Sequence, residues 1–393
     1  MSVTRRNFFR TVGLGSAGLS TSLIVGGSKD ALAFAEPFAA APDDSGVIRV
    51  SNNENNRGPG KKAIEALHGA ATVRMGRGYP PDYVNELTDT IAGVYSVKRE
   101  SVIVGTGSGP ILEGSVRAFC AVDKPLVTAA PTYATCENMA RRMNAPVKLI
   151  AVDRGMQLDL NAMADASKGA GLVYICNPNN PTGGAHNAAV IEQFVRKVKS
   201  SSPGTAILID EAYIDYAHDS AIKTAAPLAM ELPGVFITRS FSKAHGMAGL
   251  RLGYAVGQPD TVGAIPKAWQ LGSINTLTAA AAIASLKDTQ HIAEEVAENA
   301  RVRDFTLQAF KDMGYPAIDS HANCVFVDVK RTAASFRDAC MAMKVQVGRD
   351  FPPYEKTHAR ITLGTMDEMR QAVDVFRKVL TAKTATTSSA QLR

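Results

Sequence analysis

At 393 residues, 46% hydrophobic and 20% charged, the chain has the length of two or three domains and an ordinary globular composition. Its formal charge of +6 is modest and owes much to the first 35 residues, where Arg5, Arg6, Arg10 and Lys29 face only Asp30. With no basic stripe interleaved with aromatics, a nucleic-acid partner is not indicated; no apolar run reaches the roughly 18 residues of a membrane span.

The five cysteines, Cys120, Cys136, Cys176, Cys324 and Cys340, are widely spaced and lack a CxxC pair. That argues against a disulfide framework or a zinc site and for small, buried, inert thiols, with no metal expected.

The first 35 residues read as an address. Arg5-Arg6 precedes Phe8 and Phe9, a mildly apolar Gly/Ala/Leu stretch follows to about Gly27, and Ala31-Leu32-Ala33 and Ala33-Phe34-Ala35 offer overlapping cleavage sites. This is the pattern of a twin-arginine export signal, and it predicts a periplasmic mature chain beginning near Phe34 or Glu36.

After an Ala/Pro/Asp linker, Val47–Val50 is a short expected strand, running into the turn cluster Asn52-Asn53-Glu54-Asn55-Asn56-Arg57-Gly58-Pro59-Gly60. Helices are expected over 61–71 and 83–95, around a loop at 77–80. Val102–Val104 reads as a strand, Gly105-Thr106-Gly107-Ser108-Gly109 as a glycine loop, and a helix is expected from Ile111 to Phe119. Free N–H groups at a helix start suit one phosphate. The spacing is not the full dinucleotide pattern, and no acidic residue follows at the expected distance.

Further strands are expected at 125–128 before Pro131-Thr132-Tyr133, at 172–176 before Asn177-Pro178-Asn179-Asn180-Pro181-Thr182-Gly183-Gly184, at 206–209 before Asp210-Glu211-Ala212-Tyr213, and at 235–238 before Arg239-Ser240-Phe241-Ser242-Lys243. Read alone, the last loop is as well an ordinary polar surface loop. The order matters more. Five apolar strands each end in a polar or glycine-rich loop, and most are followed by a helix. That pattern is an α/β fold with an open, mostly parallel sheet, and ligands of such sheets bind at the carboxyl ends of the strands. The glycine loop, Tyr133, Asn180, Asp210, Tyr213 and Lys243 all fall on that edge.

From Thr278 the character changes to a smaller α+β segment. It has helices expected at 278–286, 289–313, 333–343 and 367–380 and short strands at 324–329 and 345–347. The expected division is 1–35 signal peptide, 36–76 N-terminal arm and start of the small domain, 77–286 large domain, 287–380 small domain and 381–393 disordered tail.

The motifs NPNNPTG, DEAY, SFSK…GLRLGY and ARITLG, in this order and spacing, resemble those of the fold-type I, class I/II aminotransferases over about Val47 to Leu380, with most likeness to the histidinol-phosphate branch. The resemblance implies pyridoxal 5′-phosphate as cofactor, with Lys243 forming the Schiff base and acting as proton carrier in a ping-pong transamination of an amino acid to its oxo acid. Asp210 would pair with the ring nitrogen, Tyr213 and Asn180 would bond the ring oxygen, and Tyr133 would stack on the ring. Gly107, Ser108, Ser240, Ser242 and Arg251 would hold the phosphate. Tyr79 would reach the neighbouring subunit's site, which implies a homodimer. Arg360 and Arg349 match arginines at the substrate's anionic ends.

Two departures stand out. Arg57 replaces the apolar or tyrosyl residue common in the family's loop; it either lines the substrate pocket, favouring an anionic or polar side chain, or points to solvent. An export signal fits poorly with histidine biosynthesis, a cytoplasmic pathway. His245 reads as structural. The alternatives are another reaction on the same cofactor (decarboxylase, β-lyase or racemase) and an exported binding protein with no activity. Ser240-Phe241-Ser242-Lys243 also matches the S-x-x-K of penicillin-recognising enzymes, but no K-T-G follows.

Overall fold

A computed structural model describes residues 46–73 and 81–381. The expected signal peptide, Tyr79 and the tail beyond Thr381 lie outside the described residues. The chain starts with β1 (Ile48–Val50), α1 (Lys61–Ala70) and α2 (Pro81–Tyr95). An alternation follows: β2 (Val102–Gly105), α3 (Ser108–Phe119), β3 (Leu126–Ala130), α4 (Thr135–Arg142), β4 (Val147–Ala151), α5 (Leu160–Ala166), β5 (Leu172–Cys176), α6 (Ala188–Ser201), β6 (Ala206–Asp210), α7 (Ala226–Glu231), β7 (Val235–Ser240), β8 (Gly253–Gly257) and α8 (Pro259–Ala268). The remainder is α9 (Thr276–Lys287), α10 (Thr289–Asp312), β9 (Cys324–Asp328), α11 (Ala333–Met341), β10 (Val345–Val347), β11 (His358–Thr362) and α12 (Met366–Thr381).

Seven strands form one sheet in the order β2-β8-β7-β6-β5-β3-β4. Every neighbouring pair is parallel except those made by β8, which is antiparallel to both β7 and β2. The central strands, LVYIC in β5 and AILID in β6, are buried at every position, as continuous apolar runs covered on both faces must be. Two separate apolar cores, one per face, pack helices onto the sheet.

The sequence reading found five of these strands and missed β4 and β8. Edge strand β4, VKLIA, leaves Lys148, Leu149 and Ala151 exposed, which blurs its signal. Strand β8, GYAVG, is bracketed by glycines that read as turn residues. Helix α3 also starts three residues earlier than expected, at Ser108. Pro110 is accommodated in the first turn, where its missing N–H would have had no partner.

A third core gathers Val50, Phe310, Val325, Val327, Phe336 and Phe376. It is built on β1 paired in parallel with β10, on β9 paired antiparallel with β11, and on α10, α11 and α12. Helix α9, TLTAAAAIASLK, is buried nearly all round because its alanines let α1 and α2 approach closely.

Candidate active site

Because six of the seven sheet strands run the same way, their carboxyl ends share one edge, and β8 begins there. A cleft of about 480 Å³ opens on that edge. Its walls include Ser108, Tyr133, Asn180, Asp210, Tyr213, Ser240, Ser242, Lys243, Arg251, Arg349 and Arg360. Eleven residues singled out from sequence, spread over 253 positions, thus meet in one cavity.

Lys243 lies just beyond β7. Its Nζ donates to Asn53 O at 2.7 Å and sits 5.4 Å from the centroid of the Tyr213 ring. Burial, with Arg360 adding like-charge repulsion, pushes its amine down to about 8. Such an amine is neutral for a useful fraction of the time near neutral pH, as a nucleophile or proton carrier requires.

Asp210 closes β6 and is 2% exposed. It accepts from Tyr174 Oη at 3.0 Å, Ala212 N at 3.2 Å and Thr238 Oγ1 at 3.3 Å. Burial raises its carboxyl to about 6, against the opposing pull of those donors and of Lys243. No arginine or lysine pairs with it among the described residues. A cationic N–H facing it would supply what burial has removed. Tyr213, also buried, accepts from Asn53 Nδ2 at 3.2 Å. Asn180 Oδ1 accepts from Arg360 Nη1 at 2.9 Å.

At the other end of the cleft, α3 presents its N-terminus. Gly107 precedes it with φ +92, a conformation open to glycine and strained for other residues. A Cβ on Gly107 would stand 2.5 Å from Arg251 Nη2, so the arginine lies across the loop. Gly253 at the start of β8 presses on the same turn, where a Cβ would fall 2.4 Å from Ser108 N. Free N–H groups, Ser108, Ser240, Ser242 and a guanidinium with no ion-pair partner among the described residues form an anion cradle.

Arg360 is 5% exposed and has no carboxylate partner among the described residues. It also donates to Ser51 O, and its buried Nε has no hydrogen-bond partner among the described residues. The Arg349 guanidinium lies 4.4 Å, and that of Arg360 4.8 Å, from the Phe351 ring. Burial and the neighbouring Arg360 lower the Arg349 pKa. Two close guanidiniums, neither in an ion pair among the described residues, mark a place where an anionic ligand binds well.

A phosphorylated pyridine aldehyde fits this cleft. It finds an activated amine for the aldehyde, a buried unpaired carboxylate for the ring nitrogen, and an anion cradle for the phosphate.

Arg57 is the exception among the expected substrate residues. It lies outside the cleft with its side chain 34% exposed, and its guanidinium pairs with Glu295 of α10 and donates to Glu295 O at 3.1 Å. Another group that sequence spacing could not disclose is His218, Asp319 and His321. Their rings stack at 4.1 Å with 17° between planes, so one ion cannot lie in both ring planes, and both His218 nitrogens are engaged by Arg303 and Asp319. It does not make a metal centre.

Sequence reasoning passed over Asn53, which is fully buried at φ +54. Its N donates to Thr362 Oγ1 at 2.8 Å, and its O accepts from Asn323 Nδ2 at 3.1 Å as well as from Lys243. The signal available was only an asparagine in a turn cluster, where left-handed backbone is commonplace. Asn179 was also missed. It accepts from Thr132 Oγ1 at 2.7 Å and donates to Pro131 O at 3.1 Å, fixing two loops against each other.

Comparison with known proteins agrees with this geometry. The family model for aminotransferase class I and II matches residues 45–376. A histidinol-phosphate aminotransferase of Moorella thermoacetica is 31% identical over 85% of this chain and 86% of its own. An aromatic amino acid aminotransferase of Nocardia farcinica is 31% identical over 84% and 91%. The crystal structure of histidinol-phosphate aminotransferase from Sinorhizobium meliloti in complex with pyridoxal-5′-phosphate superposes with a TM-score of 0.78 at 25% identity, covering 84% of this chain and 90% of that one.

Proposed function

The chain belongs to the class I and II aminotransferase family, and from that premise we propose how its cleft performs pyridoxal-phosphate-dependent transamination. When bound, pyridoxal phosphate supplies an aldehyde that condenses with amines and a protonated ring that accepts the electron pair released at Cα. Lys243 would tether the group, and its Nζ, when free, would serve as the base that takes a proton from the donor and the acid that returns it. Asp210 would face the ring nitrogen. Tyr213 and Asn180 would hold the ring oxygen, and Tyr133 would pack on the ring. Gly107, Ser108, Ser240, Ser242 and Arg251 would hold the phosphate. Arg360 takes the donor's carboxylate, and Arg349 takes a second anionic or polar group at its far end.

The observation that carries this reading is one cleft that holds the buried amine of Lys243, the buried carboxylate of Asp210 with no cationic partner among the described residues, and an anion cradle at the start of α3; burial pushes that amine down and that carboxyl up. The test is to load the protein with cofactor and mix it with single amino donors, following the spectrum and the oxo acid released. Histidinol phosphate and aromatic amino acids, named for the relatives, are the first donors to try. Stoichiometric oxo acid with loss of the imine band supports transamination. Carbon dioxide, or a racemised donor with the band intact, would indicate a decarboxylase or racemase. Lys243→Ala should abolish the band and lower turnover by about 10²–10⁴-fold.

Further parts of the proposal rest on sequence. Arg5-Arg6 and the Ala-x-Ala sites point to twin-arginine export and a periplasmic enzyme. Mass spectrometry of the native protein should then find a terminus near Phe34 or Glu36, and an intact Met1 or Ser2 terminus would refute export. A homodimer with Tyr79 reaching the neighbouring site, and a small domain over 287–380, complete the proposal; light scattering tests the dimer.

A further inference from the structure

We infer that Arg57 is a positioning residue: through its ion pair with Glu295 it fastens the 52–60 loop to helix α10 and so fixes the substrate wall of the cleft. The inference rests on the aminotransferase reading above.

The Glu295 side chain is 5% exposed, and Arg57 is its only cationic partner among the described residues. Tyr216 Oη donates to the second Glu295 oxygen at 3.2 Å. A buried carboxylate held by one cation and one hydroxyl keeps that cation firmly, because release would leave the charge unpaired. Arg57 N also donates to Asn55 Oδ1 at 3.0 Å, and Asn55 Nδ2 reaches Ala244 O, beside Lys243, at 3.5 Å.

The loop has two zones. Asn53 is secured by Thr362, Asn323 and Tyr213, so the carbonyl that receives Lys243 does not depend on Arg57. Glu54 lines the cleft, accepts through its main-chain carbonyl from Asn323 Nδ2, and its carboxylate lies 3.8 Å from Arg49. Beyond it the chain is anchored by the long Asn55 contact, by Asn56 on Glu368 at 2.8 Å, and by Arg57. Loss of Arg57 therefore loosens the wall that faces substrate more than the lysine that does the chemistry. Drawing residue 57 outward also leaves Glu54, rather than an apolar or tyrosyl side chain, on that wall.

The experiment is steady-state kinetics of the loaded enzyme with one donor that wild type turns over. Arg57→Ala is expected to raise donor KM roughly tenfold with kcat changed less than about threefold, Arg57→Lys to recover most of the loss, and Glu295→Gln to resemble Arg57→Ala. The Arg57→Ala, Glu295→Ala double variant should be no worse than the worse single. Unchanged KM in Arg57→Ala, even with a lower melting temperature, would reduce the pair to a fold contact and overturn the inference. A lower KM for acidic donors in Glu295→Gln would overturn it differently, by showing Arg57 to be a substrate ligand restrained by Glu295. Failure of wild type with every donor would count against the transamination reading instead.

Discussion

The amine of Lys243 donates to the main-chain carbonyl of Asn53 at 2.7 Å across a sequence separation of 190 residues. This bond joins the loop after β7 to the loop after β1. The same carbonyl takes Asn323 Nδ2, and Asn53 itself is bound to Thr362 at the end of β11. The lysine is therefore held by the part of the chain that carries Arg360, the arginine facing the cleft from β11. Orientation of the amine and placement of Arg360 share one scaffold.

The two perturbed groups set a pH window. In cofactor-free protein, Lys243 is lowered from 10.5 to about 8, so its contribution to stability is present above 10.5 and is lost as pH falls through 8. Asp210 is raised from 3.8 to about 6, so its contribution is present below 3.8 and is lost as pH rises through 6. Both costs stand in full between about pH 6 and 8. Cofactor relieves both, so the gain in melting temperature on loading should be largest there and should shrink towards pH 4.5 and pH 10. Melts of loaded and free protein across that range check this, and a flat difference would contradict it.

Asp210→Asn retains the shape and the contact with Tyr174 but removes the charge proposed to face the ring nitrogen. It should lower kcat by roughly 10²–10³-fold. Without cofactor the variant should melt at or above the wild-type temperature, since a buried unpaired charge has gone. Kinetics with melting curves separate the two effects; a variant that is merely unfolded would fail the second.

Arg360→Met tests the buried cation. With no carboxylate partner among the described residues and an orphaned Nε, the arginine costs stability that methionine returns. The melting temperature should hold or rise while kcat/KM for a carboxylate-bearing donor falls about a hundredfold, or about 2.7 kcal/mol. An unchanged kcat/KM would remove Arg360 from the substrate site.

Gly253→Ala puts a methyl group 2.4 Å from Ser108 N and 2.6 Å from Gly107 C. The backbone of the anion cradle must shift, so cofactor affinity should fall by about tenfold or more, a cost of about 1.4 kcal/mol. Gly263→Ala, in helix α8 with nothing within 4 Å of the new methyl group, serves as control and should leave affinity unchanged. Cofactor titration followed by absorbance reads both.

Five of the seven strands of the large sheet, and the edge on which the cleft opens, are legible in the sequence. Strands such as LVYIC and AILID are apolar throughout because both faces are covered, and their loops are polar because ligands meet parallel strands at the carboxyl ends. Periodicity and loop chemistry are local properties, so the edge that carries Lys243, Asp210 and the glycine loop is legible in the sequence, while the role of Lys243 rests on the motif resemblance and not on its loop alone. Only the tertiary structure decided the rest. Strand β8 is reversed so that Gly253 and Arg251 meet the turn at Gly107, and Asn53 receives Lys243. Arg57 turns away from the cleft because a buried glutamate 238 positions away needs its charge. Pairings of that kind are settled by which desolvated groups the packing leaves opposite one another, and no local pattern in the chain encodes them.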